Sequence, residues 1–249
     1  MSLSANSIDY DAVAPDFAQS RDGLLTLANA LSVKSFGEVG VWKGGLAARI
    51  LEGIPSIETY WMIDPWRNLD DWNKPFNVEQ TKFDAVHREA MEATAFAEDK
   101  RRVLRGTTTE VIDEIPDGTL DMAYIDGDHT LRGITIDLML IWPKLRPGGL
   151  LTGDDSTPTI WQHGAEFEPT LVFPFVAYFA EAMRVPLHCF GSHQFAIPKP
   201  DGAPAGYKLH DHTGRYSAVE LLPMIQTIPK RRNGLAGRLK RRLKALIGA

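Results

Sequence analysis

Cysteine is nearly absent from this chain. The one thiol, Cys189, leaves no internal disulfide to form and points to a reducing, cytoplasmic setting. Long apolar runs are missing too, so no stretch has the length needed to cross a bilayer. The opening Met-Ser-Leu-Ser-Ala-Asn has neither a basic region nor an apolar one, and no signal peptide is expected. Positive charge is scarce where a nucleic-acid surface would need it. The 249 residues carry a net charge of -5, and residues 229–249 hold eight Lys or Arg and no acid, which leaves about -13 on the rest. Nucleic acid is therefore not an expected partner. Repeats and low-complexity tracts are also lacking, and the length suits one large domain or one with appendages.

What is present begins with Ser35-Phe-Gly-Glu-Val-Gly-Val-Trp-Lys-Gly-Gly-Leu46. A short apolar strand turns through Gly40, Gly44 and Gly45 into a helical pattern. Glycines let backbone approach a ligand closely, and a helix N-terminus offers free N–H groups. The spacing Glu38-x-Gly40-x-x-x-Gly44 is not the Gly-x-Gly-x-x-Gly of a dinucleotide site. An acid where a pyrophosphate would lie suggests a ligand with a cationic group, such as the amino acid end of S-adenosylmethionine.

The rest of the chain alternates. Strands are predicted over 36–41, 57–63, 102–104, 120–125 and 150–152, with helices over 44–52, 78–98, 110–115 and 131–145 between them. A helical stretch over 9–31 precedes the first strand. A helix over 171–183 and two short strands, 187–190 and 193–197, follow the last. Such alternation means βαβ units and a mostly parallel sheet covered on both faces. Residues from 203 onward give no clear signal.

In such a sheet, ligands bind at the carboxyl ends of the strands. The second strand ends in Asp64, about twenty-five residues past the glycine turn, where a carboxylate can hold both ribose hydroxyls. The third ends in Gly106-Thr107, suited to adenine, the fourth in Asp126 and the fifth in Asp154-Asp155. One such acid is usually a helix cap. Three beside a glycine turn point to a nucleoside ligand.

Four segments carry a resemblance to the class I S-adenosylmethionine-dependent methyltransferases. They are Glu38-Val-Gly-Val-Trp-Lys-Gly44, Ile63-Asp-Pro-Trp66, Tyr124-Ile-Asp-Gly-Asp-His129 and Pro147-Gly-Gly-Leu-Leu-Thr-Gly-Asp-Asp155. The pattern is most similar to the bacterial sugar and antibiotic O-methyltransferases, the macrocin O-methyltransferase and cephalosporin-hydroxylase-like group. The resemblance implies a Rossmann-like α/β sheet of about seven strands in the order 3-2-1-4-5-7-6, the last antiparallel. It divides the chain into an N-terminal helical segment (1–34), a methyltransferase domain (35–200) and a C-terminal extension (201–249). It also implies that Glu38, Gly40, Gly44, Asp64, Gly106, Thr107 and Asp126 hold S-adenosylmethionine.

Carboxylates of Asp126, Asp154 and Asp155 at neighbouring strand ends can converge on Mg²⁺ or Mn²⁺, which favour hard oxygen ligands. Their spacing resembles the metal triad of the catechol and sugar O-methyltransferases, departing at Asp155, where the catechol enzyme has an amide. A divalent ion there would acidify an acceptor hydroxyl. His129 falls where the catechol enzyme has a catalytic lysine, and with Asp126 it is the expected catalytic pair, His129 taking the hydroxyl proton. Chelation and Asp154→Asn are each expected to abolish transfer.

Trp66, Trp72, Phe76, Trp161 and His163 flank these acids and suit a lid over a sugar or planar acceptor. In the tail, Leu235, Leu239, Leu243 and Leu246 share one helical face ringed by basic residues. That face suits an anionic membrane surface, the acidic body or a second subunit of a homo-oligomer. Two rival readings stand beside O-methyl transfer to a small molecule: a non-catalytic nucleoside-binding module, and an NAD-type oxidoreductase.

Overall fold

The structure, a computed structural model, describes residues 3–164 and 166–216. Helices α1 (Tyr10–Val13) and α2 (Gly23–Leu31) come before β1 (Ser35–Val39). Then follow α3 (Gly45–Gly53), β2 (Thr59–Ile63), α4 (Gln80–Ala93), β3 (Arg101–Leu104), α5 (Thr108–Val111), β4 (Leu120–Ile125), α6 (Leu131–Ile141) and β5 (Leu145–Gly153). The described chain ends with α7 (Val172–Met183), β6 (Pro186–Cys189), β7 (Phe195–Pro198) and β8 (Lys208–Asp211).

The strands form one sheet in the order β3-β2-β1-β4-β5-β7-β6-β8. The first five are parallel, and β7 runs antiparallel to both β5 and β6. The expected order therefore holds, with an eighth strand added beyond β6 and parallel to it. The alternation along β4 explains why the sheet is covered twice. Met122 and Tyr124 enter the core shared with α2, α3 and α4, whereas Ala123 and Ile125 enter the core shared with α6 and α7. Successive strand residues face opposite ways, so an all-apolar strand needs a layer on each side.

Three local differences from the expected elements have physical reasons. Helix α6 stops at Ile141, because Pro143 cannot continue its ladder and instead sits in the 3-10 turn Trp142–Lys144. Strand β5 begins at Leu145 rather than 150 and takes in Arg146-Pro-Gly-Gly149, where the register against β4 shifts between Leu120 and Met122. Helix α5 starts at Thr108 rather than 110, because Thr107 and Glu110 close a capping box ahead of it. The leucine face at Leu235, Leu239, Leu243 and Leu246 lies outside the described residues. Among those described, no helix is long and apolar enough to cross a membrane.

Strand order reverses between β1 and β4. The helices that follow them, α3 and α6, leave to opposite faces of the sheet and open a crevice there, the place where sheets of this kind take ligands.

Candidate active site

The crevice is a cavity of about 1130 Å³, above the roughly 300–1,000 Å³ typical of small-molecule sites. Glu38, Gly40, Asp64, Gly106, Thr107, Asp126, His129, Asp154 and Asp155 all line it. Gly44, expected with them, turns away: a Cβ there would lie 3.0 Å from the Ala90 Cα of α4. Its φ of +73° and this close helix contact account for the glycine, and Gly45 reaches the cavity instead.

At the β1 and β2 end, the backbone is held by an acid. Asp64 accepts the Trp42 amide at 2.8 Å on one oxygen and the Trp66 amide at 2.7 Å on the other. The Trp66 indole donates to the Trp42 carbonyl at 2.8 Å, so Trp66 is fully buried and locks the turn rather than covering the cavity. Gly40 has φ +87°, and a Cβ on it would meet the Asp126 carbonyl oxygen at 2.0 Å. Only glycine lets the ends of β1 and β4 come this close. Glu38 is 2% exposed and accepts the Tyr60 hydroxyl at 2.8 Å. Burial outweighs that hydrogen bond and pushes its carboxyl up to about 8. Burial likewise lifts Asp64 to about 6 against the amide bonds that lower it.

At the third strand end, the Thr107 amide donates to the Glu110 carboxylate at 2.8 Å. The Thr108 hydroxyl donates to Asp137 at 2.6 Å. Burial holds that acid up to about 7.

The β4 and β5 end is an ionic lattice. Arg21, from the segment just before α2, pairs through Nη1 with Asp126 Oδ2 at 3.1 Å and through Nη2 with Asp154 Oδ2. The other Asp154 oxygen accepts Gln194 Nε2 at 2.6 Å and the Asp155 amide at 2.7 Å. Asp155 holds His129 Nδ1 at 2.6 Å on Oδ2 and Gln162 Nε2 at 2.5 Å on Oδ1. His129 Nε2 stands 3.3 Å from Asp126 Oδ1, in ion-pair range but off hydrogen-bond alignment. Burial alone would lower the imidazole, but the two carboxylates outweigh it and raise it to about 10. Asp154 is pushed up to about 7 by burial and by the charge of Asp126, in spite of Arg21.

The three acids expected to share an ion are thus divided. Arg21 joins Asp126 to Asp154, and His129 joins Asp126 to Asp155. Among the described residues, the donors that gather within 4.8 Å of one another are Asp126, His129 and Asp155, without Asp154. Each of the six carboxylate oxygens already faces a protein cation or donor.

Trp72, Phe76 and His163 line the mouth as expected, whereas Trp161 packs against the core and Trp42 takes a place at the rim. Asp128 orders its loop, accepting the Trp72 indole at 3.0 Å and the Thr130 amide at 2.9 Å. Sequence reading missed Arg21, Gln162 and Gln194. Arg21 stands 133 residues before Asp154, and a lone arginine ahead of a helix carries no local signal.

Residues 38–156 match the family described as "Methyltransferase domain". One curated relative, an uncharacterized protein of Sinorhizobium fredii, is 33% identical over 82 residues. That match covers 30% of this chain, and the chain spans 9% of that relative's length. The O-methyltransferase TomG of Streptomyces achromogenes, solved with S-adenosylmethionine, is similar in fold: TM-score 0.51 at 15% identity, covering 79% of this chain and 91% of TomG. An O-methyltransferase of Bacillus cereus, in complex with S-adenosylhomocysteine, gives TM-score 0.51 at 16% identity over 76% and 86% of the two chains. A candidate caffeoyl-CoA O-methyltransferase of Staphylococcus aureus gives 0.53 at 14% identity over 78% and 93%. Residues 38–156 thus match a methyltransferase domain, and the sheet order is the one that the resemblance to the class I S-adenosylmethionine-dependent methyltransferases implies.

Proposed function

We propose that the protein moves a methyl group from S-adenosylmethionine to a hydroxyl of a small molecule, a sugar or glycosylated natural product. The observation that carries this reading is Glu38, a buried acid at the glycine turn whose neighbouring donor is the neutral Tyr60 hydroxyl. A pyrophosphate brought there would meet a carboxyl, which disfavours NAD. A ligand ammonium would supply the missing charge. Asp64 would take the ribose, and Gly106 and Thr107 the adenine. Trp42, Trp72, Phe76 and His163 beside Lys74 and Gln162 give the mouth the aromatic and polar mixture that a sugar ring suits.

In the transfer, the acceptor oxygen forms a bond to the methyl carbon as the carbon–sulfur bond breaks, and its electron pair stays on sulfur as the neutral thioether. The hydroxyl proton needs a receiver. Asp155 and Asp126 both face the His129 imidazole and favour its protonated form, so we assign the base role to the Asp126 carboxylate, with His129 orienting it. Mg²⁺ or Mn²⁺ at Asp126, Asp154 and Asp155 would have to displace Arg21 and the His129 proton. As folded these residues do not fit a resident ion, and the proposed reaction runs without one.

Calorimetric titration with S-adenosylmethionine, S-adenosylhomocysteine and NAD, followed by methyl-label transfer to a panel of sugars and glycosides, tests the reading. Binding of the first two and labelling of a hydroxylated acceptor is the expected result. NAD binding without S-adenosylmethionine binding would restore the oxidoreductase. Tight cofactor binding with no transfer to any acceptor would favour the nucleoside-binding module.

A further inference from the structure

We propose that Arg21 is the resident cation of the acid cluster, occupying the role that a divalent ion would otherwise fill. The two terminal nitrogens of one guanidinium reach Asp126 and Asp154 separately, so a single planar group spans the ends of β4 and β5. An ion drawing on these acids needs several open oxygen ligands at about 2.0–2.6 Å. Each would first have to give up a charge-assisted hydrogen bond or ion pair. Arg21 is also placed by its surroundings. The Ser20 hydroxyl donates to Asp22 at 2.8 Å, Asp22 pairs with Arg49 of α3, and the guanidinium lies 5.8 Å from the centre of the Tyr124 ring. Phe17 packs on Gly23, where a Cβ would come within 2.2 Å of the ring. Phe17 also stacks on Phe190 at 4.6 Å, so with the Asp22–Arg49 pair the segment is fixed to the body on both sides of Arg21. It acts as a positioning residue, holding Asp126 in the orientation that receives the acceptor proton.

The consequence for catalysis rests on the methyl-transfer reading, but the metal prediction does not. Electron paramagnetic resonance of Mn²⁺ titrated into the full chain reads bound against free ion directly. Wild type is expected to leave Mn²⁺ free up to about 1 mM, the weak end of protein sites for such cations. Arg21→Ala uncovers the acids and is expected to bind one Mn²⁺ at least roughly tenfold more tightly than wild type, since a vacated carboxylate pair suits a hard cation. Adding Asp154→Asn should abolish that gain, and Arg21→Lys should not show it. EDTA should leave wild-type transfer within about twofold, against the complete loss expected of a true metal enzyme.

Mn²⁺ bound by wild type and lost in Asp126→Asn would overturn the proposal. So would a folded Arg21→Ala, judged by its melting curve, that gains no Mn²⁺. Should Arg21→Ala not fold, Arg21→Met keeps length without charge and carries the same expectation, and the wild-type titration decides by itself. A protein that never binds S-adenosylmethionine would sink the methyl-transfer reading yet leave these Mn²⁺ outcomes interpretable.

Discussion

The two ends of the cavity handle negative charge in opposite ways. Around the glycine turn, Glu38 and Asp64 are buried among uncharged donors, a phenol and two backbone amides, and burial lifts both carboxyls. At the β4 and β5 end, three acids meet Arg21 and His129, and every oxygen has a partner. The first end lacks a positive charge and gains by receiving one. The second already holds cationic partners of its own, Arg21 and His129. A methyl donor that is cationic at both its ammonium and its sulfonium suits that division.

The largest expected effect breaks the second end. Asp126→Asn removes the proton receiver and one side of both ion pairs, and should lower single-turnover transfer by about 10³-fold, within the 10²–10⁴ range of general-base effects. Affinity for S-adenosylmethionine should stay within about threefold, because the loss falls on an interaction made in the transition state. Equal losses in binding and turnover would mean that Asp126 chiefly holds the cofactor. Next comes the point where the two ends touch. Gly40→Ala forces a Cβ to 2.0 Å from the Asp126 carbonyl oxygen at φ +87°, neither of which a flexible side chain can relieve. A loss of about 3 kcal/mol is expected, which a chain of this size shows as roughly 6–12 °C in Tm. An unchanged melting curve would show that the contact between β1 and β4 relaxes freely.

The charge contrast itself is read through Glu38. With the folded carboxyl at about 8 and the ordinary glutamate near 4.5, the native state keeps a proton that the unfolded chain has given up. Stability from this group therefore falls as pH rises through the window between those values. Glu38→Gln should raise Tm by roughly 5 °C at pH 8 and leave it unchanged at pH 4. It should also weaken S-adenosylmethionine binding about 30-fold, the scale of one hydrogen bond to a charged group. Near pH 7, calorimetry in buffers of differing ionisation heat should register close to one proton released per cofactor bound by wild type. The variant should release none. Proton-neutral binding by wild type would mean that Glu38 does not meet the ammonium.

How far the site was legible follows from where each contact is made. Asp64, Asp126, Asp154 and Asp155 each adjoin the strand that positions them, so strand patterning alone located them. Arg21 was invisible because its partners lie more than a hundred residues away and its own neighbours read only as a helix start. Lys208–Asp211 is short and polar, and becomes β8 through long-range pairing: His210 stacks on His188 at 4.5 Å, and His188 Nδ1 lies 3.1 Å from His212 Nε2. Trp66 read as a lid because nothing local reveals its positive φ of 41°, and its indole proves to be inside, bonded to the glycine turn. Sequence spacing shows that the acids at the ends of β4 and β5 converge, but not that Arg21 and His129 pair with them in the folded chain.

The smallest effect separates two glycines that look equivalent in sequence. Gly40 and Gly44 both have positive φ, yet a Cβ on Gly40 meets the ligand-side backbone of β4, whereas one on Gly44 meets α4 at 3.0 Å. Gly44→Ala must bear the left-handed conformation and push α3 slightly off α4, which should cost about 1–2 kcal/mol. The adjoining backbone at Gly45 keeps its approach to the cavity, so S-adenosylmethionine affinity should change by less than about twofold, far under the effect of losing a direct contact. Melting curves and a cofactor titration on the same sample check both halves of the expectation. An affinity loss as large as that of Glu38→Gln would mean that the turn binds as one unit, and that the second glycine belongs to the cofactor end after all.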